Sequence, residues 1–265
     1  QRISILPRSN ALTYVVALEV LDNLPHDKIV RCRSTGDTMQ AELRPLTLSK
    51  QQEQEINELC SQYKNLQMME EHCVPLTDPL LKNIINTYPS YSLSSSSNSA
   101  SARWIPTIAC GVFQKLSRER PNARFVIADF DWLPPPDIED DKGVAGATST
   151  MTLPSSLSSS PAIDNAEGSP LITCMNGIDY KCLLNSPYVC DILFPTDFNK
   201  LFDFFTKLCF RGGRDGGDVQ VKVRKQANFL LESSPEEIEQ TKNWLGYTPL
   251  LEDFGNCSVL TVSSP

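Results

Sequence analysis

The hydrophobic pattern near the start of the chain predicts a strand that runs directly into an acidic loop. Residues 15–18, Val-Val-Ala-Leu, form an apolar run that is typical of a strand covered on both faces. Glu19 follows where such a strand should end, and Asp22 and Asp27 come next, with Pro25 between them. Because ligands of open α/β sheets bind outside the carboxyl ends of the strands, these carboxylates indicate a substrate site. The alternative is a solvated acidic turn that caps the following segment.

Further along the chain, apolar spacing and capping residues predict a mixture of helices and strands. Helical spacing predicts helices over 49–67, 78–88, 107–119, 197–210 and from 235 or 236 to 244, the last capped by Ser233 or Ser234. Short apolar or alternating runs predict strands over 28–33, 38–43, 124–129, 171–174 and 218–224. Residues 34–37, Ser-Thr-Gly-Asp, have the composition of a turn between the first two of these strands.

Two segments have the composition of flexible inserts. Residues 91–102 are rich in serine. Residues 134–170 contain mainly Pro, Ser, Gly and Thr and few large apolar side chains. Such a segment cannot bury enough surface to offset its loss of conformational entropy, so we expect disorder there.

Charge and composition exclude several classes of function. The formal net charge of −8 argues against a general nucleic-acid binder, which needs a basic surface to neutralise phosphate. An acidic surface suits a basic substrate instead, such as an arginine-containing segment. The chain has no run of about eighteen apolar residues, so we expect no membrane span. Its 265 residues are enough for one large domain or two small ones.

The cysteines and histidines are not spaced along the chain as the ligands of a metal site are. The nine cysteines are scattered without a C-x-x-C pair, and His26 and His72 are the two histidines of the chain. We therefore expect no metal ion and interpret the cysteines as reduced thiols, most of them small buried apolar residues. Two histidines and no Gly-x-Ser-x-Gly turn also argue against a Ser-His-Asp hydrolase.

Four segments resemble, in the same order, the motifs of a known family. They are residues 18–25 (LEVLDNLP), 124–133 (RFVIADFDWL), 191–198 (DILFPTDF) and 226–230 (QANFL). They resemble the MidA-like methyltransferases, a class I S-adenosylmethionine-dependent family with a mitochondrial branch. The first segment is similar to the loop after that family's fourth strand, and the second is similar to its next strand.

The resemblance implies an α/β fold that is the C-terminal part of a class I (Rossmann-like) methyltransferase, with a mixed sheet and disordered Ser/Pro-rich inserts. Residues 1–133 would form the second half of the sheet, and residues 171–265 would complete the same domain after the insert at 134–170. The family's glycine-rich cofactor turn, typically Glu-x-Gly-x-Gly, has no counterpart here, because the glycine cluster at 211–218 follows the wrong elements. We therefore expect the C-terminal portion of a longer protein, and no residue of it is assigned to cofactor binding.

The function that the resemblance implies is methylation of a protein arginine with S-adenosyl-L-methionine as the cofactor. The mitochondrial branch of the family resembles arginine methyltransferases that assist the assembly of respiratory complex I. The partner would be a protein with an exposed arginine, a complex I subunit, in the mitochondrial matrix. The alternative is a non-catalytic assembly or scaffolding protein derived from a methyltransferase fold.

Carboxylates are the residues that this chemistry needs, because paired hydrogen bonds to a carboxylate fix the plane of a guanidinium group. By analogy with the acidic loops of arginine methyltransferases, Glu19 is the first catalytic candidate and Asp22 the second. The alternative for Asp22 is an Asx-type turn that stabilises the corner at residues 23–25.

The candidates for substrate binding lie in the other motifs. Asp129 and Asp131 end the predicted strand at 124–129, on the same sheet edge as Glu19 if the two strands are parallel. Asp191, Thr196 and Asp197 surround a Phe-Pro corner, where capping of the following helix by Asp197 is the favoured alternative. The last candidate, Gln226, is a polar residue in a strand-like run.

Overall fold

The computed structural model describes residues 7–45, 69–93, 102–134, 166–174, 179–180, 190–211 and 219–263. Its strands are β1 (Thr13–Leu18), β2 (Asp27–Arg31), β3 (Thr38–Pro45), β4 (Met69–Pro75), β5 (Ala102–Ile105), β6 (Ala123–Phe130), β7 (Leu171–Cys174), β8 (Asp179–Tyr180), β9 (Cys190–Leu193), β10 (Gln220–Lys225) and β11 (Cys257–Ser263). Its helices are α1 (Pro79–Thr87), α2 (Thr107–Glu119), α3 (Phe198–Arg211), α4 (Gln226–Leu230), α5 (Pro235–Glu239) and α6 (Pro249–Glu252), with a short 3₁₀ helix at Pro89–Tyr91.

The main sheet is mixed and has the order β1-β6-β11-β10. β1 and β6 are parallel and in register from Thr13 opposite Ala123 to Leu18 opposite Ala128. β11 is antiparallel to both of its neighbours, β6 and β10. The carboxyl ends of β1 and β6 therefore meet at one edge of the sheet, as the sequence predicted for parallel strands. This mixed α/β sheet confirms the predicted fold class.

The described residues form two smaller sheets in addition to the main one. Strands β4, β3, β2 and β5 form an antiparallel sheet in that order, and β8, β7 and β9 form another. The predicted turn at 34–37 joins β2 to β3, with Gly36 in the left-handed region at φ 77°. The turn is closed by the Cys32 amide, which donates to the Asp37 carbonyl over 2.8 Å.

The core lies between the main sheet and helices α2 and α3. Phe113 of α2, Phe125 of β6 and Phe205 of α3 pack together with ring centroids 5.1–6.0 Å apart. Phe204, the neighbour of Phe205, packs on Tyr88 with centroids 4.6 Å apart. On α3 the buried residues Phe198, Leu201, Phe204 and Phe205 recur at the spacing of one helix face, which is typical of a helix that packs on a sheet.

The exposed face of β1 differs from the prediction of a strand covered on both sides. Tyr14, Val16 and Leu18 are 60–62% exposed, whereas Val15 and Ala17 pack against the core. Helices α2 and α3 lie on the Val15 side, and no element of the described ranges covers the opposite side or pairs with the second edge of β1. An apolar run indicates that a strand can be buried on both faces. Which of its faces is buried depends on the elements that pack against it.

Several other predictions differ from the structure or lie outside the described residues. The predicted helix at 49–67 and most of both inserts, 94–101 and 135–165, fall outside the described residues. Gln226 begins helix α4 instead of lying in a strand-like run, because the strand ends at Lys225. The helix predicted to reach residue 244 ends at Glu239, after which turns lead to Gly246 at φ 79°.

The cysteines confirm the sequence interpretation only in part. Cys110 and Cys257 are buried, as expected for small apolar residues, but Cys73 is exposed. Cys190 is disulfide-bonded, so it is not a reduced thiol. The spacing of cysteines along a chain does not reveal which of them meet in space, and this is why the disulfide was not predicted.

Within the described ranges, none of the helices combines the length and the apolar character that crossing a membrane requires.

The capping box of α5 gives a local stability prediction. The Ser234 hydroxyl accepts from the Glu237 amide, and the Glu237 carboxylate accepts in turn from the Ser234 amide. Ser234→Ala should destabilise this exposed helix by about 1 kcal/mol. Hydrogen exchange of the Glu237 amide should therefore become faster in Ser234→Ala. It should stay unchanged in the control Ser233→Ala, and equal rates in all three proteins would contradict the capping role.

Candidate active site at the carboxyl ends of the main sheet

Asp129 holds the loop after β1 against the end of β6. Its Oδ2 accepts hydrogen bonds from the backbone amides of Leu21 at 2.8 Å and Asp22 at 3.3 Å. Its Oδ1 accepts from the Phe130 amide at 2.8 Å. Asp129 is 1% exposed. The parallel pairing of β1 and β6 brings the two strand ends together, and this one carboxylate then fixes the acidic loop in place.

Asp22 and Asp129 form a buried acidic pair. Burial first, and then the negative charge of Asp22, raise the pKa of Asp129 from its ordinary value of 3.8 to about 6. Burial also raises the pKa of Asp22, whose Oδ1 accepts from the Asn23 side-chain amide at 2.7 Å. Asp22 is 2% exposed. Its hydrogen bond with Asn23 is compatible with support of the corner at residues 23–25.

Glu19 occupies a strained position at the end of β1. It has a φ of 51°, and among the described residues it is the one non-glycine residue with a positive φ. Such a conformation costs of order 1 kcal/mol for a residue with a Cβ, and it persists where the surroundings fix it. The Glu19 amide donates to the Ala128 carbonyl at 2.9 Å, which holds the backbone in place. The side chain itself is exposed.

Three of the predicted carboxylates act electrostatically on one buried thiol, that of Cys257. Burial first, and after it the negative charges of Glu19, Asp129 and Asp131, raise the pKa of this thiol to about 11. These three side chains come from two strand ends that are more than a hundred residues apart in sequence. Together with Asp22 they form an acidic cluster at the carboxyl edge of the sheet.

The two carboxylate oxygens of Asp131 differ in their hydrogen bonds. Oδ2 accepts from Lys225 Nζ and Ser258 Oγ, each at 2.5 Å. Oδ1 is buried and has no hydrogen-bond partner within the part of the chain that the structure describes. A buried carboxylate oxygen without a donor is costly, and Oδ1 of Asp131 is such an oxygen.

A cavity of about 570 Å³ opens next to Asp131. Of the residues predicted from the sequence, Asp131, Thr196 and Asp197 line it, whereas Glu19, Asp22 and Asp129 do not. The cavity lies between the carboxyl edge of the main sheet, the segment before α3, and strand β5. Its size falls within the range of small-molecule and side-chain pockets.

Asp197 caps α3, as the alternative interpretation of the sequence predicted. Its Oδ1 accepts from the amides of Asn199 at 3.1 Å and Lys200 at 3.0 Å. Burial opposes ionisation of Asp197, but the hydrogen bonds from Lys200 outweigh it and lower the pKa of this carboxyl. Thr196 is buried, and its amide donates to the Phe130 carbonyl at 2.8 Å, which ties the start of α3 to the end of β6.

Two other predicted residues lie away from the cavity. Asp191 is exposed on β9, opposite Thr173 of β7. Gln226 donates from its side-chain amide to the Leu250 carbonyl at 3.2 Å and so connects α4 to α6. Neither side chain lines the cavity. The predicted backbone partner of Gln226 is thus the Leu250 carbonyl.

Glu167 is a cavity residue that sequence reasoning missed. Its Oε2 accepts from Arg103 Nε at 2.9 Å and Nη2 at 2.6 Å, and its Oε1 is bound by Lys200. Backbone hydrogen bonds join it to β5 on both sides, to Ala102 and Trp104. It lies in the segment predicted to be disordered from composition, where a single charged residue gives no signal of this network.

His26 and Trp104 also line the cavity and were also missed, and both rings pack on Phe194. The His26 ring stacks on Phe194 with centroids 4.0 Å apart and planes 9° apart. Trp104 lies 5.3 Å from Phe194 at 55°. Burial lowers the pKa of His26 to about 4, so the ring is neutral near pH 7. Trp104 Nε1 is buried and has no acceptor among the described residues.

Comparison with known proteins identifies the family. The model of a family described as "Putative S-adenosyl-L-methionine-dependent methyltransferase" matches residues 3–209. The chain belongs to this methyltransferase family. The match includes β1, β6 and the start of α3, and therefore all the residues that line the cavity up to Leu201. No curated protein matches the sequence of this chain at a significant level.

Two solved structures share the fold of this methyltransferase family member. One is a COG1565 superfamily protein from Burkholderia thailandensis bound to S-adenosyl-homocysteine, with a TM-score of 0.50 and 10% sequence identity. The other is a native structure of a COG1565 superfamily protein from the same organism, with a TM-score of 0.51 and 9% identity. Both comparisons cover 98% of this chain, but only 55% and 57% of those proteins. The chain thus spans little more than half of their length.

The described residues do not by themselves fit the S-adenosylmethionine on which the family depends. A nucleotide-like cofactor is usually held by a glycine-rich turn between a strand and the N-terminus of a helix. The left-handed glycines of the described ranges, Gly36, Gly168 and Gly246, do not lie at such a junction. Those ranges also contain no group of three or more His, Cys, Asp or Glu side chains that could hold a metal ion.

Proposed function

We propose that this chain forms the substrate side of an S-adenosylmethionine-dependent protein arginine methyltransferase. The observation that supports this most strongly is the acidic cluster of Glu19, Asp22, Asp129 and Asp131 beside the cavity, in a chain of a methyltransferase family. A cationic side chain is the substrate that such a cluster favours. Membership of the family implies S-adenosylmethionine as the methyl donor. In this proposal the carboxylates determine which side chain is methylated.

Three of the four carboxylates have assigned roles in this proposal. Asp129 and Asp22 are buried and hold the loop. Glu19 is exposed, and within the described residues no side-chain or backbone donor binds its carboxylate. It is therefore the one placed to accept two hydrogen bonds from a guanidinium group, which orients the nitrogen that is not bonded. Asp22 stays the second catalytic candidate through its position in the same loop.

The biological setting of this proposal rests on the motifs. The four motifs resemble the MidA-like methyltransferases, a family with a mitochondrial branch that resembles arginine methyltransferases of complex I assembly. On that basis we propose that the substrate is a protein with an exposed arginine, a subunit of respiratory complex I, and that the reaction takes place in the mitochondrial matrix. Residues 1–133 and 171–265 would belong to one domain, and the main sheet contains strands from both ranges.

Glu19→Gln tests the proposed catalytic role. Glutamine keeps the shape and the strained backbone of Glu19 but removes the charge, and the loss of a charge-assisted pair should slow methyl transfer about 10- to 100-fold. Transfer of a labelled methyl group to an arginine-containing peptide should be measured with the protein expressed from its native transcript. Asp37→Asn, in an exposed turn, is the matched control. Full activity of a folded Glu19→Gln protein would remove Glu19 from the role.

A second candidate function is a non-catalytic assembly or scaffolding protein. The lack of a glycine-rich junction in the described residues favours it. Calorimetric titration with S-adenosylmethionine and with S-adenosyl-homocysteine separates the two functions. Micromolar binding and methyl transfer support the enzyme, whereas the absence of both in the product of the native transcript supports the scaffold.

A further inference from the structure

We propose that the segment between β10 and β11, residues 226–256, is a docking surface for a basic amphipathic helix of a partner protein. Exposed apolar side chains of the segment would contact the apolar face of that helix, and carboxylates of the segment would attract the lysines and arginines beside that face. This inference goes beyond the proposed function, because it concerns neither methyl transfer nor the side chain that is methylated.

Large apolar side chains lie on the outside of this segment. Trp244 is 90% exposed and Leu245 is 69% exposed. Leu231, directly after α4, and Leu250, on α6, are exposed as well, and α4 packs against α6. A single exposed leucine is common on protein surfaces, but tryptophan is among the side chains that contribute most to binding when a partner buries them. The segment therefore has the apolar side chains that an interface requires.

The turn that carries Trp244 and Leu245 is held by Asn243. The Asn243 side-chain oxygen accepts from the amides of Leu245 at 2.9 Å and Tyr247 at 3.1 Å. The Asn243 amide donates to the Tyr247 carbonyl at 2.8 Å, and its carbonyl accepts from the Gly246 amide at 3.0 Å. A turn that is fixed before binding loses little backbone entropy when a partner docks on it.

The charge of the same segment indicates the kind of partner. Residues 226–256 contain six carboxylates and one lysine. Glu232 pairs with Arg224 of β10, and Glu239 pairs with Lys242. Four carboxylates have no ion pair within the described ranges, and they are Glu236, Glu237, Glu252 and Asp253. The surface stays acidic after the ion pairs are taken into account, so it favours a basic partner.

An amphipathic helix supplies both kinds of contact from one element. Its apolar side chains recur on one face, and its lysines and arginines can lie on the two sides of that face. A second copy of this chain would instead bring two acidic surfaces together, and the anionic headgroups of a membrane would also be repelled. β10 and β1 are the two outer strands of the main sheet, so an element that paired with β1 would lie at the other end of the sheet.

A helix that docks on this segment would lie near the cavity. The segment leaves the main sheet after Lys225, which lines the cavity, and returns at Cys257, opposite Phe130 at the end of β6. The Asn256 side-chain amide donates to the carbonyl of Trp132, another cavity residue, at 3.2 Å. The docking surface thus begins and ends at the carboxyl edge of the main sheet.

Calorimetric titration of the full chain with three synthetic peptides tests the docking surface. The probe is an amphipathic helical peptide of leucine and lysine. Its controls are the same peptide with glutamate in place of lysine and the same peptide with serine in place of leucine. The leucine–lysine peptide should bind at least about tenfold more tightly than either control, because binding requires both the apolar contacts and the positive charge. It should also shift the tryptophan fluorescence to shorter wavelength as Trp244 becomes buried.

Substitutions locate the binding on the segment. Trp244→Ser should weaken binding of the leucine–lysine peptide at least about tenfold and remove most of the fluorescence shift. Val16→Ser, at an exposed apolar position of β1, is its matched control. Glu236→Lys should weaken binding severalfold, and Asp203→Lys, at an exposed position of α3, is the control for that change of charge. Both controls should bind the peptide as wild type does.

Several outcomes would overturn the docking surface. They are no binding of the leucine–lysine peptide at millimolar concentration, equal binding of the glutamate peptide, and an equal loss of affinity in Val16→Ser and Trp244→Ser. If a thermal melt shows that Trp244→Ser unfolds, Leu245→Ser takes its place, and an unchanged affinity in that variant would count against the surface.

Two further measurements distinguish the helix from other occupants. Dimerisation of wild type in sedimentation velocity that Trp244→Ser abolishes would replace the helix by a second copy of the chain. Binding to phosphatidylcholine vesicles that Trp244→Ser abolishes would replace it by a membrane. Monomeric wild type that does not bind the vesicles supports the helix. None of these measurements uses methyl transfer, so the docking surface can fail while the proposed function stands, and the reverse.

Discussion

Phe205→Ala should lower the free energy of unfolding by about 3–5 kcal/mol, the largest stability effect that we expect from one substitution. Phe205 is fully buried and lies where α2, α3 and the main sheet meet, in contact with Phe113 and Phe125 at centroid distances of 5.1 Å. Removal of the ring leaves a cavity that three separate elements would have to close. The loss should be measured by urea unfolding followed by circular dichroism.

Phe202→Ala is the matched control for this prediction. Phe202 lies on the same helix but is 38% exposed, so its removal should cost less than about 1 kcal/mol. A similar loss for the two variants would show that α3 does not pack on the sheet through the face that carries Phe205.

Asp129→Asn should change the pH dependence of stability by up to about 3 kcal/mol. The folded protein raises the pKa of Asp129 from 3.8 to about 6, a difference that corresponds to about 3 kcal/mol. Because the folded state binds this proton more tightly than the unfolded chain, ionisation of Asp129 opposes folding. The penalty is absent below about pH 4, increases as the pH rises to about 6, and stays constant above that.

The experiment compares the free energies of unfolding of wild type and Asp129→Asn at pH 4 and pH 7. Asparagine has no such charge, so the stability of wild type relative to the variant should fall by up to about 3 kcal/mol over this range. Hydrogen bonds of Asp197 and Glu167 give an opposite pH trend, but both proteins contain them and they cancel in the difference. A difference that is the same at both pH values would contradict the buried ionisation of Asp129.

The sequence was sufficient for those parts of the fold that depend on local pattern. The strands β1 and β6 and the helices α1, α2 and α3 each follow from apolar spacing and end signals within one segment. The capping of α3 by Asp197 was predictable for the same reason, since a capping residue and the amides that it binds are neighbours in sequence. Parallel strand ends then placed Glu19 and Asp129 at one edge of the sheet.

The parts that could not be predicted depend on residues that are distant in sequence. Asp131 is bound by Ser258 and Lys225, which lie 127 and 94 positions away, and no local pattern relates them. Glu167 lies in a segment whose composition predicts disorder, yet it joins Arg103 to Lys200. His26 was assigned no role because a single histidine has no spacing to interpret. Its stacking partner, Phe194, is known only from the fold.

The position of β11 in the main sheet affects when this sheet can be completed during synthesis. β11 lies between β6 and β10, and it is the last strand of the described chain to leave the ribosome. Until then β6 and β10 have no common partner, and the core residues Leu260 and Val262 are missing from the sheet. Completion of the main sheet therefore requires residues 257–263, and until they are available the backbone N–H and C=O groups of β6 and β10 that pair with β11 have no strand partner.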